Sequence, residues 1–440
     1  LRTDVNLANN SVSTTTDQLE GALQGTGVWF ASNTARGFAG GIAENGVGVI
    51  FSSMTSGLVQ NGVRVIASTM IGSIPDYGYT ITIGTLSSIP GTVDIASNNA
   101  DGLHAAINKC GSVPCTISYL PGIYTWVNAQ IPSNIRVQAV PRSSTVIVLT
   151  DNSNGIVTVG GDSGTAVLSG FAFDFGARAY STDMIKISSN SVVEDLFVYN
   201  ADNITTTGQV SMFSIRYASN VYVRDLEIKD HRPRTSQTFL GDVGIFVING
   251  GNKVFVDNVK SRAASFTAQT NVFYGVFKCT DTYITNGKHF NVQGYHLAFN
   301  GGNRNFHYSN NYMEITEDPV TGTGTLFMNN VDFGSSSFTF ITHNTFVNLD
   351  ATSADQPMIR MAGNGANYGP MQTTIESNTV IDRGSNSSVL VQLNDTAVTT
   401  TVLINNRVTS SDMAFITDSG AGTRNGSGNY LRGRPQGTAE

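Results

Sequence analysis

The chain has 440 residues, 40% of them hydrophobic and only 13% charged, with a formal net charge of −7. That apolar share builds a packed interior and excludes a disordered chain, and an acidic balance without a basic stripe excludes a nucleic-acid backbone as partner. No run of 18 apolar residues occurs, so no membrane span is expected, and the length calls for two domains or an elongated repeat.

Residues 1–96 are glycine-rich and read as a small β-rich cap or attachment region. They hold one helical segment near 17–24 and strands at 62–67 and 79–84. From Leu1 onward there is neither the charged nor the apolar region of a secretion signal. Residues 101–107 then predict a short amphipathic helix with Asp101 as its N-cap. Cys110 and Cys115 enclose four residues, so a disulfide is expected there if the protein meets an oxidising compartment; Cys279 stands alone. No second Cys or His pair has zinc spacing, and no metal site is expected.

After the helix come Leu120-Pro121-Gly122-Ile123-Tyr124 and Ser133-Asn134-Ile135-Arg136-Val137. Helix, Leu-Pro-Gly-x-Tyr turn and Ser-Asn-x-x-Val strand together resemble the start of the coil in the pectate-lyase-like superfamily, which includes many phage tailspikes. The resemblance spans about residues 97–430 and leaves a short tail at 431–440. It implies an all-β fold, a right-handed single-stranded parallel β-helix whose first coil is covered by the helix. It also implies a homotrimer where the relative is a tailspike, and calcium where it is a lyase. No compact loop here carries the run of oxygen ligands that calcium needs, so no cofactor is expected from the residues themselves.

A signature of β-formers followed by Asp or Asn recurs from Gly170 through Asp195, Asp225, Asn258, Asn286, Asn311, Asn344, Asn378 and Asn406 to Asn429. The markers lie 23 to 34 residues apart, the interval of one solenoid coil with loops of unequal length. Six consecutive markers, Asn258 to Asn406, predict a buried ladder of side-chain amides running from coil to coil. The alternating segments before them, such as Met212-Phe213-Ser214-Ile215, predict core strands. Phe338-Thr339-Phe340 is expected to add aromatic rings to that core.

Charge is scarce, yet twelve of the 39 residues from Arg224 to Arg262 are charged. Counted from the markers, Glu227, Lys260 and Lys288 form one column, Lys229 and Arg262 a second, and His289 and Glu314 a third. Asp230, His231, Arg232 and Arg234 are expected in a loop beside them. Elimination from a uronic acid polymer needs a cation for the sugar carboxylate, from Lys260, Lys288, Arg262 or Arg234, and a base, from His289, His231 or a lysine. Hydrolysis needs two carboxyls, drawn from Asp230, Glu227, Glu314, Glu317 and Asp318. Alternating Glu and Lys in a column is also how a solvated sheet face avoids like-charge stacking. The Gly-His-Gly and tandem-aspartate elements of polygalacturonases are absent.

These features point to a virion tailspike-like or fibre-like protein that binds, and in one version cleaves, a cell-surface polysaccharide. The alternatives are a secreted polysaccharide lyase or glycoside hydrolase, and a non-catalytic structural protein of a particle or cell surface. Each places the chain outside the cell or on a virion.

Overall fold

The computed structural model describes residues 5–6, 28–29, 41–44, 47–50, 59–60, 63–67, 79–83, 100–119, 121–139, 145–149, 157–161, 163–175, 183–200, 211–231, 245–263, 272–290, 295–300, 302–315, 326–331, 337–349, 359–362, 371–382, 389–393, 401–409, 414–418, 423–425, 429–431 and 434–435. The helical segment expected near 17–24 lies outside these residues. The chain divides into two compact units, Leu1–Thr150 with Val157–Phe173, and Asp151–Ile156 with Asp174–Glu440.

In the first unit, the helix Ala100–Cys110 buries Leu103, Ala106 and Cys110 along one stripe. It packs on the strands Tyr79–Ile83, Cys115–Tyr119 and Ala129–Ile131. The helix begins one residue before Asp101, so Asp101 lies in its first turn rather than at the cap. It ends at Gly111, whose φ of 61° lies in the left-handed region that glycine adopts at no steric cost, and Cys110 and Cys115 are joined by a disulfide. Cys115–Tyr119 pairs in parallel with Ile135–Ala139, which pairs in turn with Ala166–Ser169, while Gly122–Trp126 pairs with Thr145–Leu149. Tyr119, Tyr124, Trp126, Phe171 and Phe173 fill the space between them, with ring centroids 4.9–6.2 Å apart. Before the helix, Val63–Ala67 pairs antiparallel with Tyr79–Ile83, close to the strands expected there.

The second unit has the stacked parallel sheets of a right-handed β-helix. A typical coil runs Phe246–Asn249, then Asn252–Ala263, whose two halves serve as second and third strands. The first strands pair in succession from Ile185–Ile187 through Phe213–Arg216, Phe246–Asn249, Val272–Phe277, Tyr295–Asn300 and Leu326–Val331 to Ala414–Asp418. Neighbouring strands in such a sheet lie about 4.8 Å apart. Alternate residues point inward, so Val221, Val254, Thr282, Phe306 and Thr339 stack in the interior.

The marker series turns out to merge two neighbouring columns. Asp195, Asp225, Asn258, Asn286, Asn310, His343, Ser377 and Asn405 all have φ between 50° and 58° and bend each coil from its second strand to its third. Asp and Asn tolerate this left-handed conformation better than other side chains. The amide ladder is the next residue along and comprises Asn311, Asn344, Asn378, Asn406 and Asn429, all buried. Each backbone N–H from Asn311 to Asn406 donates to the amide oxygen of the next asparagine at 2.9–3.1 Å. Each side-chain amide from Asn344 onward donates to a carbonyl oxygen one coil back, Tyr308, Ile341, Ile375 or Leu403, at 2.8–2.9 Å. Asn258 and Asn286 are not rungs of it. They sit at the bend and donate outward, to Asp225 and Asp257, at 2.6 Å.

Candidate functional site

The third strands carry the charged residues outward. Phe197, Glu227, Lys260, Lys288 and Tyr312 stand opposite one another on successive coils in one column. Two residues further on, Lys229, Arg262, Phe290 and Glu314 form a second. Between the columns, Val198, Ile228, Ser261, His289 and Met313 point into the core. Period-two alternation thus separates a charged, aromatic outer face from a packed inner one.

On that face Lys229 Nζ lies 3.0 Å from Glu227 Oε1 and 4.9 Å over the Phe197 ring. The Arg262 guanidinium lies 5.6 Å from the centroid of Phe290, whose ring meets Tyr312 at 5.8 Å. The Tyr312 hydroxyl donates to Glu314 Oε2; this bond, with burial and the carboxylate's charge, pushes the phenol up to about 12. Lys260, Arg262 and Lys288 are exposed, and among the described residues no carboxylate pairs with any of them. Like charges directly opposite one another destabilise a sheet. Two lysines on adjacent coils beside an arginine therefore carry a cost that an anionic ligand would offset.

The columns Glu227–Lys260–Lys288 and Lys229–Arg262 are those expected from the sequence. The third is not: Glu314 stands opposite Phe290, and His289 stands between Ser261 and Met313. His289 is 1% exposed and does not join the charged face. Its Nδ1 meets Ser261 Oγ at 2.8 Å and its Nε2 meets the Tyr274 hydroxyl at 3.4 Å. Phe273 and the ring of His296 pack against it at 4.6 and 4.5 Å, and His296 Nε2 meets the Tyr308 hydroxyl at 2.7 Å. Gly287 makes room for this arrangement. A Cβ there would come within 2.4 Å of His289 Nε2 and 2.8 Å of Asn311 Oδ1. Asp230 and His231 close the strand Ser219–His231 instead of lying in a loop, with a register shift between Lys229 and His231. Arg232, Arg234, Glu317 and Asp318 lie outside the described residues. Phe197, Phe290 and Tyr312 were not anticipated at this face; the alternation around Met313 is the signal that finds Tyr312 and Glu314.

The second strands present another outward column, Tyr222, Phe255, Tyr283, His307 and Phe340. Their centroids are 4.5–4.9 Å apart and their planes within 14° of parallel. Phe340 was expected in the core with Phe338, but Thr339 takes the inward position and Phe338 is 45% exposed. Ring faces in this stack are covered by one another, so the column offers edges rather than a platform and serves to hold coils together. Burial lowers the His307 pKa, with Asp281 opposing. Beside the column, Arg224 Nε and Nη2 donate to Glu194 Oε2 at 2.8 and 2.5 Å.

No protein-family model matches the chain, and no curated protein is similar to it in sequence. Solved structures share the fold. The surface protein and adhesin PfbA of Streptococcus pneumoniae is similar at TM-score 0.52 and 12% identity, over 74% of this chain and 94% of that one. A hyperthermoactive exopolygalacturonase of Thermotoga maritima is similar at TM-score 0.50 and 9% identity, over 81% and 93%.

Proposed function

We propose that this chain is a tailspike-like or fibre-like protein of a virion or cell surface that binds an extended polysaccharide along its third-strand face. The observation that carries this reading is the arrangement of Lys260, Arg262, Lys288, Phe290, Tyr312 and Glu314 on three adjacent coils. Cations, a donor-rich guanidinium and apolar rings on a rigid sheet are the parts that orient a sugar chain. A fold shared by an adhesin and an exopolygalacturonase is compatible with binding and with cleavage, because fold does not fix chemistry. Recognition is the function put forward, and cleavage enters as a result of the test.

That test incubates the protein with acidic and neutral polysaccharides, following binding, absorbance at about 235 nm and reducing ends together. Binding without products supports recognition. Unsaturated products make the protein a lyase, and reducing ends alone make it a hydrolase. Absence of binding to every glycan overturns the reading.

A further inference from the structure

The third-strand face holds its charges in an order that says more than that it binds sugar. Along the coil axis the sequence is acid, cation, cation, acid. Glu227 occupies the first coil, Lys260 with Arg262 the second, Lys288 the third and Glu314 the fourth. The acids at both ends already have partners, since Glu227 pairs with Lys229 and Glu314 accepts from Tyr312. Among the described residues the three cations between them have no such partner.

We infer that the ligand is a polyanionic glycan, bound over a window of two coils, with Glu314 closing that window to further anions. The inference rests on the reading of this face as a glycan site and names the class of glycan. Lys260 and Lys288 stand one coil apart, about 4.8 Å, a spacing that suits charges repeating along a polymer. Arg262, exposed and with its guanidinium 5.6 Å from the Phe290 centroid, offers its fork of N–H donors to one carboxylate or sulfate. Beyond Lys288 the Glu314 carboxylate repels the next anionic group, so the window ends there.

The experiment titrates the full chain with polygalacturonate, with the same polymer fully methyl-esterified, with a sulfated glycan and with single-stranded DNA. Wild type binds polygalacturonate or the sulfated glycan, and the stronger of the two identifies the anion as carboxylate or sulfate. Its affinity falls with salt at a log–log slope of about 2–3, as expected for three cations. The double variant Lys260→Gln/Lys288→Gln loses at least tenfold, and Glu314→Gln binds at least threefold tighter. Circular dichroism checks that these surface variants keep the fold. Esterified polymer bound as tightly as the acid form overturns the anionic class while leaving the glycan reading standing. Failure to bind any glycan overturns both. DNA bound as tightly as the anionic glycans overturns the glycan class, and unchanged affinity in Glu314→Gln overturns the two-coil window.

Discussion

Lys260 and Lys288 stand directly opposite one another on adjacent coils, both exposed on the same outward face. A sheet built for stability alone would place an acid opposite each, as the Glu194–Arg224 pair does on the neighbouring strands. The Glu194–Arg224 pair neutralises its own charge within the sheet, and the Lys260–Lys288 pair leaves two like charges facing solvent.

The asparagine ladder is structural, and its members are not equivalent to the bend asparagines. In Asn378→Ala the Asn344 N–H and the Ile341 carbonyl lose their partners. Each buried unsatisfied group costs about 1–3 kcal/mol, so local stability falls by about 2–6 kcal/mol. Asn286→Gly keeps the left-handed bend and loses one exposed bond, at a cost of roughly 0.5 kcal/mol. Hydrogen exchange at the Asn344 and Asn286 amides measures both. Equal effects would show that the two columns are one.

His289 is buried and hydrogen-bonded in the core, so its replacement is expected to cost stability rather than binding. His289→Leu strands the Ser261 and Tyr274 hydroxyls in the interior and lowers stability by about 1–3 kcal/mol. Affinity for the glycan, measured on the folded variant, stays within twofold of wild type. A loss of binding with stability unchanged would restore the histidine to the site.

Acid weakens the external aromatic stack. Burial lowers the His307 pKa in the folded chain below its unfolded value of about 6.5. The folded state then holds fewer protons than the unfolded one. The contribution is therefore complete above the unfolded value and declines as pH falls from there through the folded value. Melting temperature recorded between pH 8 and pH 5 should fall more steeply for wild type than for His307→Phe. Parallel curves would mean that His307 adds nothing to the pH response.

The three cysteines differ in kind. Cys110 and Cys115 are bonded, while Cys279 is buried and its thiol is pushed up to about 11 by desolvation. Without reductant, an alkylating reagent should label no cysteine in the folded protein and one after unfolding. Closing so short a loop stabilises by about 2 kcal/mol on the chain-entropy model, so the double Cys→Ser variant loses about that much. Three labelled thiols in unfolded, unreduced protein would refute the pairing.

The fold was legible because each coil repeats the same physical demands: alternation across the wall and one residue that accepts a left-handed bend. The site was legible only in part, and the reason is specific. Asparagine suits the bend by its backbone and the ladder by its amide, and at Asn310-Asn311 it fills both positions. Spacing alone cannot tell them apart, and stepping from Asn286 to Asn311 instead of Asn310 shifts the register by one. In a strand that shift exchanges the inside for the outside. It put His289 beside Glu314 on the surface, whereas Lys288 and Phe290 are the residues that face out there. The lysine columns escaped because they lie before the slip.

The most direct test of the central claim is lysine footprinting with an acylating reagent, with and without saturating polygalacturonate. Lys260 and Lys288 should be protected by the glycan, while Lys253, exposed near the start of a second strand, and Lys278, exposed at the bend between first and second strands, should react as before. Protection of Lys253 and Lys278 with Lys260 and Lys288 still reactive would place the glycan elsewhere on the coil and contradict the account.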